Sequence, residues 1–124
     1  MTSRVLLVED EPLIAMMLED FLDALDRQCA GTADCVEAAL PLVEAGGFDC
    51  AILDVNLRGG EKSWPIAAAL AERNVPFVFA TGGADDMIAE EFRARPILQK
   101  PFTLDGVEKA VSYTHLTLPT ILRV

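Results

Sequence analysis

The chain has 124 residues, enough for one domain and too few for a second of ordinary size. Its 52% hydrophobic content supports a packed core at this length, while a formal charge of −10 argues against direct binding to nucleic-acid phosphates or anionic lipid. No apolar run approaches the ~20 residues of a membrane span, and the start through Val8 is too short for a secretory leader, so a cytoplasmic protein is expected.

Val5-Leu6-Leu7-Val8 is a continuous apolar run ending at Glu9-Asp10, the pattern of a strand buried on both faces. Pro12 suits the first turn of a helix, and Ile14, Met17, Leu18, Phe21, Leu22 and Leu25 follow as one helical stripe; the Met16-Met17 pair is expected to pack there. Cys29-Ala30-Gly31 is a weaker second strand. Asp34 is placed to cap a helix over Cys35 to Ala45, kinked by Pro41 and ended by Gly46-Gly47. The three cysteines, Cys29, Cys35 and Cys50, show no C-x-x-C spacing, which favours reduced, buried thiols over a disulfide framework or zinc site.

Cys50-Ala51-Ile52-Leu53 is a third buried strand, ending at Asp54. Arg58-Gly59-Gly60 forms a loop, and a helix over about Pro65 to Arg73 follows, with Trp64 as a local anchor at its start. Phe77-Val78-Phe79-Ala80 is the fourth strand, ending at Thr81-Gly82-Gly83. Only a short helix fits before the next strand, roughly Asp86 to Phe92. Ile97-Leu98-Gln99 is a fifth strand ending at Lys100-Pro101, with Ile97 expected in or near the core. Thr103 can cap a last helix from Leu104.

Strand and helix thus alternate five times, which predicts an α/β fold: a doubly wound, parallel five-stranded sheet covered by helices on both faces. Tyr113 to Val124 breaks the pattern of Leu104 to Val111. It is Thr-rich, contains Pro119 and carries a single charged residue. It reads either as translated adapter sequence foreign to the protein or as a natural irregular arm. The expected organisation is one domain over 1–112 and an irregular tail over 113–124.

Polar residues stand where the apolar runs stop: Glu9 and Asp10 after the first strand, Asp54 at the third, Thr81 after the fourth and Lys100 after the fifth. In an open parallel sheet, ligands bind beyond the carboxyl ends of the strands, where strand order reverses. With the order 2-1-3-4-5, Glu9, Asp10 and Asp54 share one crevice. Three carboxylates that close cannot all stay charged without a cation, and an open, incomplete oxygen set suits Mg2+. Asp54, at the centre, is the candidate nucleophile; Lys100 and the Thr81 hydroxyl can meet a phosphoryl group, and Gly82 leaves the approach uncrowded.

VLLVEDEP, AILDVNL, FVFATG and LQKPF, in that order and each at a strand end, resemble the receiver domain of bacterial two-component response regulators over roughly residues 3 to 111. The resemblance implies the flavodoxin-like strand order, with Asp54 as phosphoacceptor from a histidine kinase. It implies Glu9, Asp10, Asp54 and the backbone carbonyl of Asn56 as Mg2+ ligands, and Thr81, Gly82 and Lys100 around the phosphoryl group. It also implies a cis Lys100-Pro101 bond and no catalysis beyond the domain's own phosphorylation and dephosphorylation. Ile97 replaces the aromatic switch residue common in the family. With Phe79-Ala80-Thr81-Gly82 this looks like the FAT GUY subfamily, although Gly83 and Ala84 stand where its members usually run to an aromatic. Those members are often stand-alone receivers in alphaproteobacterial stress signalling, served by kinases of the HWE or a related class. The output would be a changed partner-binding surface on the fourth and fifth predicted helices and the fifth strand.

One rival reading comes from another class. A haloacid-dehalogenase-type phosphatase also uses a strand-end aspartyl nucleophile, but the second Asp of its D-x-D motif is here Asn56, which cannot transfer a proton in that role. The chain could also be the receiver portion of a longer regulator. His115, the only histidine, lies in the irregular tail, and no G-x-x-x-x-G-K occurs, which disfavours phosphodonor and nucleotide-switch roles.

Overall fold

A computed structural model of the protein describes residues 3–82, 88–92 and 95–112. Five parallel strands, β1 (Arg4–Val8), β2 (Gln28–Ala33), β3 (Cys50–Asp54), β4 (Phe77–Thr81) and β5 (Ile97–Gln99), form one sheet in the order β2-β1-β3-β4-β5. The expected doubly wound topology is therefore present, with β1 and β3 side by side at the point where the order reverses. The helices are α1 (Pro12–Ala24), α2 (Val36–Ala45), α3 (Trp64–Glu72) and α4 (104–112).

Alternation along the buried strands divides the core between two faces. Leu6, Val8, Leu53, Phe77 and Phe79 point to one face and meet Ala39 and Val43 of α2 and Ile66, Ala67 and Leu70 of α3. Val5, Leu7, Ile52, Val78 and Leu98 point to the other and meet Leu18 and Leu22 of α1 and Val107, Ala110 and Val111 of α4. Both faces are covered, which is why β1, β3 and β4 read as unbroken apolar runs. Trp64 is the anchor expected at the start of α3: its ring lies 5.5 Å from Phe79 and 6.1 Å from Phe92. Thr103 caps α4 as expected, its Oγ1 accepting from Gly106 N–H at 3.0 Å.

Several expectations are corrected. β2 is longer than Cys29-Ala30-Gly31 because its pairing with β1 extends in both directions, across an irregularity that leaves Ala30 without a β1 partner. Asp34 does not cap α2. Its Oδ2 instead accepts from Arg58 at 2.8 Å, and Val36 N–H donates to Glu61 Oε1 at 2.9 Å. The helix then runs through Pro41 to Ala45.

Met16 and Met17 lie on the outer side of α1, 59% and 37% exposed; burial of Leu18 and Leu22 turns them away from the sheet. In place of the expected helix over Asp86 to Phe92, residues 88 and 89 are not helical and Glu90–Phe92 form one 3-10 turn; 86 and 87 lie outside the described residues. So short a segment gains little from helix nucleation, and one turn suffices to bury Phe92 against the aromatic cluster. Ile97 is 50% exposed instead of in the core: it sits on the edge strand, on the same side as Phe79, where no described helix lies over it. The segments 83–87 and 113–124, including Gly83, Ala84, His115 and the tail, lie outside the described residues.

Candidate functional site

The site is built on strand ends. β1 ends at Val8, and Glu9 N–H donates to Ala33 O at 2.9 Å, so the chain is still held to β2 as it delivers the Glu9 carboxylate inward. Glu9 and Asp54 are only 4% and 6% exposed, whereas Asp10 is half-buried. One carboxylate oxygen each from Glu9, Asp10 and Asp54 falls within 4.8 Å of the others. Lys100 Nζ reaches in from the end of β5, 3.1 Å from Asp54 Oδ2 and 3.3 Å from Glu9 Oε1. Its backbone is held to the end of β4, Lys100 N–H donating to Thr81 O at 2.9 Å. The Lys100-Pro101 bond is cis, as expected.

Electrostatics at this cluster are strained. Burial, and then the charge of Asp54, push the Glu9 carboxyl up to about 7, against the opposing pull of Glu11 N–H and Lys100. Burial likewise raises Asp54, only partly offset by Lys100. Burial would lower Lys100, but the two carboxylates outweigh it and hold the ammonium above its ordinary value. Glu9 Oε1 is buried without a well-formed hydrogen bond among the described residues, although the ammonium lies at ion-pair distance. A clustered, underneutralised set of hard oxygen donors is chemically suited to a hard divalent cation such as Mg2+.

Of the sequence-selected residues, Glu9, Asp10, Asp54 and Lys100 are brought into one cluster. Thr81 is buried at the end of β4, next to the Asp54↔Ala80 pairing, and Gly82 follows it at the exposed mouth. Asn56 lies just beyond Asp54 on a loop that folds back on itself: Asn56 and Lys62 form an antiparallel bridge, and Lys62 Nζ donates to Asn56 Oδ1. Sequence reasoning passed over Lys62 and Glu61 on this loop. Their contacts span from six to 25 residues and leave no periodic trace.

The model of the response regulator receiver domain family matches residues 5–112. Among solved structures, the chain is similar to SdrG from Sphingomonas melonis Fr1, at 64% identity and a TM-score of 0.83, covering 92% of this chain and 97% of that one. It is also similar to the BeF3-activated conformation of SdrG from Pseudomonas melonis Fr1, at 67% identity and a TM-score of 0.76, covering 88% and 92%. The phyllosphere-induced regulator PhyR of Methylorubrum extorquens is 29% identical over 116 residues, 90% of this chain; the match spans 43% of that curated relative's length. A match over most of the chain, on a sheet of the expected order with its polar strand ends gathered in one crevice, shows that the chain belongs to the response regulator receiver domain family.

Proposed function

We propose that the chain is a cytoplasmic, phosphorylation-activated receiver. Asp54 takes a phosphoryl group from the phosphohistidine of a sensor histidine kinase, of the HWE or a related class, and the phosphorylated domain presents a changed surface to a downstream protein. The observation that carries this reading is the Asp54 carboxylate at the end of the central strand, grouped with Glu9 and Asp10 and 3.1 Å from Lys100. A relative 67% identical to this chain has a BeF3-activated conformation, which supports carrying activation over to it.

An Asp54 carboxylate oxygen attacks phosphorus, the P–N bond to the kinase histidine breaks, and an aspartyl phosphate forms. Lys100 contacts a phosphoryl oxygen and is released from Asp54 as the carboxylate loses its charge. The Thr81 hydroxyl supplies a further contact at the same mouth. Glu9, Asp10, Asp54 and the Asn56 carbonyl would hold Mg2+, which when bound neutralises charge on the phosphoryl oxygens. The domain promotes only its own phosphorylation and dephosphorylation.

Treatment with a small phosphodonor and Mg2+ should add one phosphoryl group by intact mass. The addition should vanish in Asp54→Ala; undiminished labelling of that variant would remove Asp54 from the role.

Asp10→Asn tests the cation ligands. Removing one charge from the cluster should raise the melting temperature without metal by a few degrees, since ~1 kcal/mol moves a domain of this size by ~4–8 °C. Mg2+ should then stabilise the variant less than the wild type, because stabilisation by linkage follows affinity. A metal-dependent rise equal to the wild type's would contradict the assignment.

A further inference from the structure

The loop between β3 and α3 closes on itself and is then tied to a neighbour. Within it, Leu57 N–H donates to Glu61 O at 2.6 Å, Ser63 N–H to Val55 O at 3.1 Å, and Asn56 bridges Lys62. The tip turns through Gly59 and Gly60, both at positive φ, near 75° and 80°. Val55 and Leu57 are buried and root the loop in the core.

Two side chains leave this loop for the β2–α2 turn. Glu61 Oε1 accepts from Val36 N–H at 2.9 Å, and Arg58 Nη1 donates to Asp34 Oδ2 at 2.8 Å. Arg58 Nη2 also lies 3.6 Å from Cys35 Sγ. The same turn begins at Ala33, whose carbonyl accepts Glu9 N–H. Residues 33–36 are therefore bonded on one side to the segment carrying Glu9 and Asp10, and on the other to the loop carrying Asn56.

We propose that Glu61 is a positioning residue for the cation site: bonded to Val36 by its side chain and to Leu57 by its carbonyl, it sets the Asn56 carbonyl relative to Glu9 and Asp10. The inference rests on the proposed Mg2+-dependent receiver function. Among the described residues, Glu61 makes no hydrogen bond or ion pair with the three clustered carboxylates, and acts through the loop. Its charge is not what the role needs. A glutamine can accept the same hydrogen bond, whereas alanine cannot.

The test is calorimetric Mg2+ titration of the full chain, with the Mg2+ concentration for half-maximal labelling by a small phosphodonor as a second readout. Glu61→Ala should weaken Mg2+ binding roughly tenfold, the lower end of the cost of losing a group that orients a ligand. It should raise the half-maximal Mg2+ concentration by a similar factor and leave the labelling plateau intact, while Glu61→Gln should behave as wild type.

The bond to Val36 also caps α2, so a purely structural role must be separated. Cys35 occupies the N-cap position in extended conformation and makes no side-chain cap. Cys35→Ser can supply one. In the Cys35→Ser/Glu61→Ala double variant the melting temperature should recover while Mg2+ binding stays weak. Arg58→Ala, which cuts the second tie, should weaken binding in the same direction and stands in if Glu61→Ala does not fold.

Unchanged Mg2+ affinity in folded Glu61→Ala, or recovery of affinity together with stability in the double variant, would overturn the positioning role. Absence of Mg2+ binding by the wild type would instead overturn the proposed function and this inference with it. Normal wild-type binding that is lost in Asp10→Asn but unchanged in Glu61→Ala would leave the function standing and remove only the inference.

Discussion

Lys100→Met is expected to cost about 3–5 kcal/mol of folding stability at pH 8 in the absence of divalent cations, the usual consequence of leaving buried charge without its partner, and clearly less at pH 5. The side chain joins two nearly buried carboxylates, at 3.1 Å from Asp54 and 3.3 Å from Glu9. The pH dependence follows from Glu9. Its carboxyl is raised from 4.5 to about 7, first by burial and then by Asp54, so the folded protein binds more protons than the unfolded chain between those values. Stability is therefore greatest below about 4.5 as far as this group is concerned, and is lost as pH rises through 7, by an amount on the order of 3 kcal/mol at full effect.

Asp54, also raised by burial, tilts stability the same way. Lys100 is raised above 10.5, so its contribution is fully present across pH 5–8 and does not tilt this window. The wild type without metal should already be less stable at pH 8 than at pH 5. Removing Lys100 takes away the pull that lowers both carboxyls, and the slope should steepen. Urea denaturation of both proteins at the two pH values in EDTA measures this, and an equal loss at each pH would show that Lys100 does not compensate these carboxylates.

Phe79→Ala is expected to lose about 3–5 kcal/mol, the range for emptying a buried aromatic site. Phe79 is fully buried in the middle of β4, edge-on to Phe77 at 5.4 Å and to Trp64 at 5.5 Å, with Phe92 at 5.9 Å. Trp64 packs on this ring as well as on Phe92, so the loss of Phe79 should also move Trp64 fluorescence to longer wavelength. Leu104→Ala is the control. At 43% exposure it should cost well under 1 kcal/mol. A loss below about 1.5 kcal/mol for Phe79→Ala would mean that the neighbouring rings close the cavity, since the cost at fixed chemistry depends on how well a site collapses.

Much of the fold and of the candidate site was legible in the chain itself. Apolar runs stopping at Glu9-Asp10, Asp54, Thr81 and Lys100 mark strands buried on both faces with polar residues at their carboxyl ends, because a strand covered by helices must be apolar on every residue and only its end reaches water. That pattern, with alternating helices, determined the fold class and marked the residues that the fold groups at the sheet's carboxyl end.

The tertiary structure decided what local pattern does not encode. Met17 and Ile97 are apolar residues at positions compatible with burial, yet whether anything lies over them depends on other elements: the rotation of α1 about Leu18 and Leu22, and the single turn at Glu90–Phe92. Asp34 has the right side chain for a helix cap, but Arg58 competes for it from 24 residues away and Glu61 takes the vacated role from 25. The raised Glu9 carboxyl likewise exists only because burial and Asp54 coincide in space. Burial patterns along a strand or helix repeat with the geometry of the backbone and so appear in sequence; which polar group wins a partner, and which apolar one is left uncovered, is settled by distances between segments far apart in the chain.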